Sequence, residues 1–196
     1  MTVIEFNFND DWMGEISRRL GDLNDKTPDV ISQATNSTAR KARKLIVQSL
    51  REHYAEDAKT KEYNAAMKIA RASRKKYDAT IYIRGKVQNL RRFNVSPTDP
   101  PASGNSRPPT TRAQVLLQGG LKELNKGGIK AFITTFKNGD VVVAQRNGSF
   151  YTYHRPTGGI DRHHEAIDKL WSISIPKMAE SQLDPKTVRG NMRDTI

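Results

Sequence analysis

The sequence predicts an α+β fold in which an antiparallel β-sheet, a meander with a central hairpin, packs against one long amphipathic helix. Three observations predict it. Between Ala131 and Arg146 two runs of β-branched and aromatic residues flank Asn138-Gly139, and this pair suits a tight hairpin turn because both residue types tolerate positive φ. From Pro28 to Tyr54 small and apolar residues recur every three or four positions, the period of an amphipathic helix. Elsewhere, short alternating segments are punctuated by Gly, Pro and Asn. The expected organisation is a single domain over residues 1–183, with a Pro-rich loop or arm at 94–112 and a C-terminal tail at 184–196.

Thr2 to Phe8 alternates, with Ile4, Phe6 and Phe8 on the apolar side, as a half-buried strand does. Asn9 or Asp10 can cap a following helix that carries Trp12, Met13, Ile16 and Leu20 at helical spacing and stops at Gly21. Thr27-Pro28-Asp29 then starts the long helix, with Thr as cap, Pro where a missing N–H costs nothing and an acid in the first turn. Its inward face is expected to carry Ile31, Ala34, Thr38, Ala42, Leu45, Ile46, Ser49 and Leu50. Arg40, Lys41, Arg43, Lys44 and Arg51 fall mostly away from that face, and the small residues predict that the sheet packs there.

Lys61 to Ser73 predicts a shorter helix, with Tyr63, Ala66, Met67 and Ala70 on one side. Asp78 to Arg84 alternates as a strand that Gly85 ends. Asn94 to Arg112 contains five prolines and little to bury, which predicts a surface loop or arm. Ala113 to Gln118 is a short strand candidate. The central hairpin follows, with Phe132 and Val142 on the apolar face it must pack on something else, because a lone hairpin is marginal in water. The long helix is the expected partner. Asn147-Gly148 offers a second turn leading into Phe150–Tyr153. Ile167 to Met178 begins as a helix-compatible segment, and Pro176 is expected to leave its predecessor extended.

The formal net charge is +12 over 196 residues, and it is unevenly distributed: residues 1–35 carry −4, residues 36–96 carry +11 and the remainder +5. A basic block of this kind is either a solvated face or a surface for a polyanion, nucleic acid or acidic protein. The chain has no cysteine, which removes disulfides, thiolate metal sites and cysteine nucleophiles. No apolar run approaches the roughly 20 residues that span a bilayer, and residues 1–12 lack the basic start and apolar core of a signal peptide. The expectation is a soluble protein with no membrane partner.

No phosphate-binding loop, dinucleotide fingerprint or nucleophile elbow occurs. The one cluster of catalytic composition is His154, Asp161, His163, His164 and Glu165. Adjacent histidines diverge on a helix or a strand, so one ion could not readily use both. A polar loop before a helix is expected there, with no metal and no cofactor. Arg74-Lys75-Lys76-Tyr77 and Arg91-Arg92-Phe93 set cations beside rings, as single-strand binders do. Both rings border strands, however, and are expected to anchor the core.

Taken in order, Thr38–Lys44 (TARKARK), Ala79–Gly85 (ATIYIRG), Leu90–Pro97 (LRRFNVSP), Ala131-Phe132-Ile133 with Asn138-Gly139 and Arg146, and Ser174–Met178 (SIPKM) resemble the minor tail protein Z and tail-completion family of tailed phages. The resemblance spans residues 33–178. It departs from the family at Ser172-Ile173, where Gly-Pro is usual. It implies an α+β structural subunit without catalytic activity, made in the host cytoplasm and assembled on the virion, as a hexameric ring at the head–tail junction, against tail tube or tail terminator and head connector proteins. In that setting Pro97, Pro100, Pro101, Arg107, Pro108 and Pro109 are candidate subunit-contact residues. Arg40, Lys41, Arg43, Lys44, Arg51, Arg74, Lys75, Lys76, Arg91 and Arg92 are candidate contacts for an acidic partner or for genomic DNA in the channel. The alternative is a non-specific nucleic-acid-binding protein using the basic helix 40–51.

Overall fold

The computed structural model describes residues 1–6, 14–15, 18–19, 26–57, 60–102, 108–153 and 162–183. The chain is α+β, with several antiparallel sheets and one long helix. It forms two compact units. The first comprises residues 1–52, 58–86 and 173–196, and the second residues 53–57 and 87–172.

In the first unit β1 (Thr2–Phe6), β2 (Met67–Ala70) and β3 (Ala79–Ile83) form an antiparallel sheet in the order β1-β3-β2. Ile4 and Phe6 on β1 stand opposite Ile81 and Ala79, and Met67 and Ile69 on β2 stand opposite Ile83 and Ile81. One face of the sheet therefore collects Ile4, Phe6, Met67, Ile69, Ala79, Ile81 and Ile83. Helix α1 (Thr27–His53) supplies Ile31, Thr35, Ala39, Ile46, Val47 and Leu50 to the buried interior. Ala39, Ala72 and Ala79 meet in one cluster with Phe6 and Ile69 packed around it. Small side chains at that point let helix and sheet backbones approach closely.

The buried stripe of α1 differs from the expected one. Ala34, Thr38 and Leu45 are exposed, and Thr35, Ala39 and Val47 are buried in their place. Where a face is made of Ala, Thr and Ser, side-chain polarity barely distinguishes neighbouring rows, and the packing partner decides.

Helix α2 is short (Thr60–Ala66), and Met67 begins a strand where the pattern predicted more helix. Met67 is buried, Lys68 exposed and Ile69 half-buried. That period of two, paired to β3, overrides the helical spacing of Tyr63, Ala66 and Ala70. The unit closes with α3 (Ile175–Gln182), where Pro176 lies in the first turn; contrary to expectation its predecessor Ile175 already belongs to the helix, and the extended residue is Ser174 before it. Proline here starts a helix, since its missing N–H is unneeded there. Ile175, Met178 and Ala179 are buried, the Thr2 hydroxyl donates to the Pro176 carbonyl at 3.1 Å, and a Cβ on Gly85 would lie 3.3 Å from the Pro176 ring.

The second unit holds the remaining strands, except that Ile173 and Ser174, the last two residues of β13 (Trp171–Ser174), belong to the first. β4 (Val87–Asn89) pairs with β13 (Trp171–Ser174), and β5 (Asn94–Ser96), β6 (Arg112–Gln114) and β7 (Lys122–Glu123) form a sheet in that order. β8 (Asn125–Lys126) pairs with β9 (Ile129–Lys130). β10 (Phe132–Thr135), β11 (Val141–Tyr153) and β12 (Arg162–Lys169) form an antiparallel meander. Residues 54–57 run between neighbouring stretches, bridging Leu116 through Tyr54 and Phe93 through Glu56. The core gathers Leu90, Phe93, Val95, Ala113, Ala131, Ile133, Val142, Val143 and Ala144.

The central hairpin forms as expected, and Phe132 and Val142 share a face, as the pairs Phe132–Ala144 and Thr134–Val142 require. Its loop has three residues. The Gly139 N–H donates to the Phe136 carbonyl and the Phe136 N–H to the Asp140 carbonyl, each at 2.8 Å. Only Gly139 takes positive φ, while the Asn138 side chain accepts from the Asp140 N–H. A type I turn followed by a left-handed glycine has this form. What packs on α1 within its own unit is the β1-β3-β2 sheet, and the hairpin belongs to the other unit.

Two further expectations are corrected. Asn147-Gly148 makes no turn, because β11 runs on through it with a register irregularity between Arg146 and Phe150, and Gly148 takes a φ of 79°. A positive-φ glycine inside a paired strand marks a bulge. Residues 162–174 are strands, not a loop and a helix. The spacing of Ile167, Leu170 and Trp171 fits a helix, yet pairing to β11 fixes the segment. The expected helix bearing Trp12, Met13, Ile16 and Leu20 and the tail 184–196 lie outside the described residues.

Candidate functional site

The first unit carries the basic face. At about 100° per residue, Arg40, Lys44 and Arg51 fall within roughly 40° of one another on α1, and all three are exposed. Lys41 is exposed on an adjoining row, and Arg43 is half-buried at the flank nearer the sheet. Arg51 donates to the Thr60 hydroxyl at 3.1 Å.

Beside this face, Asn36, Arg40, Arg43, Ile69 and Arg71 line a pocket of about 120 Å³. Asn36, Arg40 and Arg43 stand at helical spacing on one flank of α1, and Ile69 and Arg71 come from β2 and the residue after it. The Asn36 amide ties the two elements together: its nitrogen donates to the Ala72 carbonyl at 3.0 Å, and its oxygen accepts from the Ala72 N–H at 2.9 Å. This two-point clasp fixes the backbone next to Arg71 against α1. Among the described residues, none of Arg40, Arg43 and Arg71 has an ion pair or a guanidinium hydrogen bond. Three cations around one recess, with no counter-charge among the described residues, make a site for an anion.

The other expected basic residues divide by what they hold. Ser73 and Lys76 exchange backbone hydrogen bonds across a tight turn that presents Arg74, Lys75 and Lys76 to solvent. The Arg74 guanidinium grips both carboxylate oxygens of Asp29. That bond holds the Asp29 carboxyl below its ordinary range and raises Arg74. In the second unit, Arg91 lies 3.7 Å from Asp99, and Arg92 lies 3.3 Å from Glu56, whose side chain is fully buried. Phe93 is buried at 4% exposure and Tyr77 is half-buried, so the rings beside these cations serve the interior.

Of the Pro-rich arm, Arg107 lies outside the described residues. Pro97, Pro100, Pro101 and Pro108 are half-buried and Pro109 is exposed. Pairing of β5 with β6 closes the loop at its base. Thr111 is fully buried, with its N–H on the Ala131 carbonyl at 2.8 Å and its carbonyl accepting from the Leu124 N–H at 3.0 Å. The arm therefore buries more at its ends than its composition suggests.

Of the histidine cluster, His154 and Asp161 lie outside the described residues. His163 and His164 are neighbours on β12. Glu165 pairs with Arg146 at 2.8 Å. Among the described residues no group of three His, Cys, Asp or Glu is placed to hold a metal ion. Nor is any helix long and apolar enough to cross a membrane.

No family model, curated protein or solved structure matches the chain. The site therefore rests on its own geometry. Sequence reasoning missed Arg71 and Asn36. The signal for Arg71 was the alternation of Met67 and Ile69 with Lys68 and Ala70, which turns residues 67–70 into a strand and carries Arg71 to α1.

Proposed function

We propose that this chain is a structural virion protein of a long-tailed phage, a tail-completion or neck subunit that acts in several copies where head and tail join. The observation that carries the reading is the ordered series of motifs over residues 33–178, which resembles that family. An α+β chain without cysteine and with an exposed basic helix is compatible with it. In this reading the subunit is not an enzyme and takes no cofactor. It closes a ring, six copies matching the sixfold symmetry usual for such tails, between tail tube or terminator and head connector, in which arms reach neighbouring copies and basic side chains face an acidic ring or DNA in the channel.

The test is to shorten the arm in the phage that encodes the chain, removing residues 98–109 and sparing buried Thr111. The expected outcome is normal-looking heads and tails that fail to join, counted by electron microscopy, with infectivity restored by the intact protein in trans. Infectious particles containing none of this protein would overturn the assignment.

A second reading, non-specific binding to nucleic acid, is favoured by the stripe of Arg40, Lys44 and Arg51. Mass spectrometry of purified particles separates the two, since a virion component is found in them at fixed stoichiometry.

A further inference from the structure

We infer that the recess between α1 and β2 is a discrete phosphate-binding pocket, with Arg40, Arg43 and Arg71 as its ligands and Asn36 as the residue that positions Arg71. This is independent of any role at a head–tail junction. It is also a sharper statement than a basic face, because it concerns one pocket and one bound group.

Three features carry it. First, three arginines from two elements line one recess, Arg40 and Arg43 from α1 and Arg71 from the residue after β2. A carboxylate has two oxygens in one plane and suits one or two such forks, whereas the oxygens of a phosphate group are distributed in three dimensions and can accept from all three. Second, Asp29, the acid near the start of the same helix, is occupied by Arg74, and among the described residues no carboxylate lines the recess to neutralise it from within. Third, the Asn36 clasp fixes the spacing of the walls before anything binds, and preorganised donors lose little freedom on binding. Exposed Lys41 and Lys44 supply charge nearby without lining the recess.

The phosphate can be part of a nucleic-acid backbone or a free or terminal phosphate, and the experiment distinguishes these. Inorganic phosphate is titrated into the full-length protein with arginine Nε–H resonances as the readout. A short DNA duplex is titrated separately by fluorescence anisotropy. Arg71→Gln is compared with Lys44→Gln, which removes the same charge from an exposed position outside the pocket. Both variants are checked for unchanged thermal unfolding.

In the wild type, phosphate should shift the resonances of pocket arginines. Arg71→Gln should weaken phosphate binding about tenfold or more, as loss of a charge-assisted hydrogen bond requires, and Lys44→Gln by about twofold or less. If Arg71→Gln also weakens duplex binding far more than Lys44→Gln does, the ligand is a backbone phosphate. If duplex binding falls equally in both while phosphate binding falls only in Arg71→Gln, it is a free or terminal phosphate. Equal loss of phosphate binding in the two variants, no response to phosphate at millimolar concentration, or stronger competition by acetate than by phosphate would overturn the pocket.

Discussion

Arg91 and Arg92 are adjacent in sequence and face unlike partners. Arg92 approaches Glu56, whose side chain has no exposed surface, while Arg91 meets Asp99, which is 78% exposed. Removing the partner of a buried carboxylate leaves charge in a poorly solvated place, whereas a surface pair contributes little. Arg92→Ala should therefore destabilise the protein by about 2–3 kcal/mol, a value reduced from the fully buried case because Arg92 itself is 38% exposed. Arg91→Ala should cost about 1 kcal/mol or less. Urea unfolding of the two variants checks the contrast, and equal effects would mean that Glu56 is stabilised mainly by its other contacts. At this scale the sequence was informative about rings and silent about charges. Phe93 follows Leu90 and precedes Val95, which points to the core. Nothing local reveals that Arg92 meets a carboxylate 36 residues earlier.

At the scale of elements, the rotation of α1 about its axis is the feature most open to test. Ala39 sits at 0% exposure among Ala72 and Ala79, while Ala34 is exposed. Ala39→Leu should overpack that contact and cost about 1–3 kcal/mol, whereas Ala34→Leu should fall within about 0.5 kcal/mol of wild type. The opposite order in thermal or chemical unfolding would restore the expected face. The length of α1 was legible because Thr27-Pro28-Asp29 is a strong start signal and the period persists for 27 residues. The hairpin was legible from Asn138-Gly139. Residues 67–70 and 162–174 were not, because short runs such as Met-Lys-Ile-Ala satisfy a period of two and nearly satisfy 3.6, and pairing with β3 or β11 decides between them. Half of the candidate pocket was consequently visible in advance: Arg40 and Arg43 belong to the helix pattern, while Arg71 joins them only once β2 is a strand.

For the whole molecule, the concentration of charge in residues 36–96 has a consequence that does not depend on any one contact. If Arg40, Lys41, Lys44 and Arg51 track a duplex, binding should be weak, indifferent to sequence and steeply dependent on salt. About three to four phosphate contacts give a log–log slope of roughly −2.7 to −3.6, and Lys44→Gln should reduce its magnitude by about 0.9. Anisotropy titrations at several salt concentrations measure this directly. A flat dependence, or strong preference for one sequence, would exclude the helix face as a phosphate track.

The division of the chain between its two units also bears on how the protein is made. The backbone changes unit after residues 52, 57, 86 and 172, so the two units alternate along the sequence. A ribosome delivers residues in order. The second unit has all its residues once Ser172 has left the exit tunnel, while the first still lacks Ile175, Met178 and Ala179, three of its buried side chains. The Thr2–Pro176 hydrogen bond joins positions 174 residues apart. β1 can pair with β3 as soon as Ile83 has emerged, but its bond to Pro176 and the burial of Met178 and Ala179 wait for α3, and during that interval the first unit is the part that a chaperone would meet incomplete.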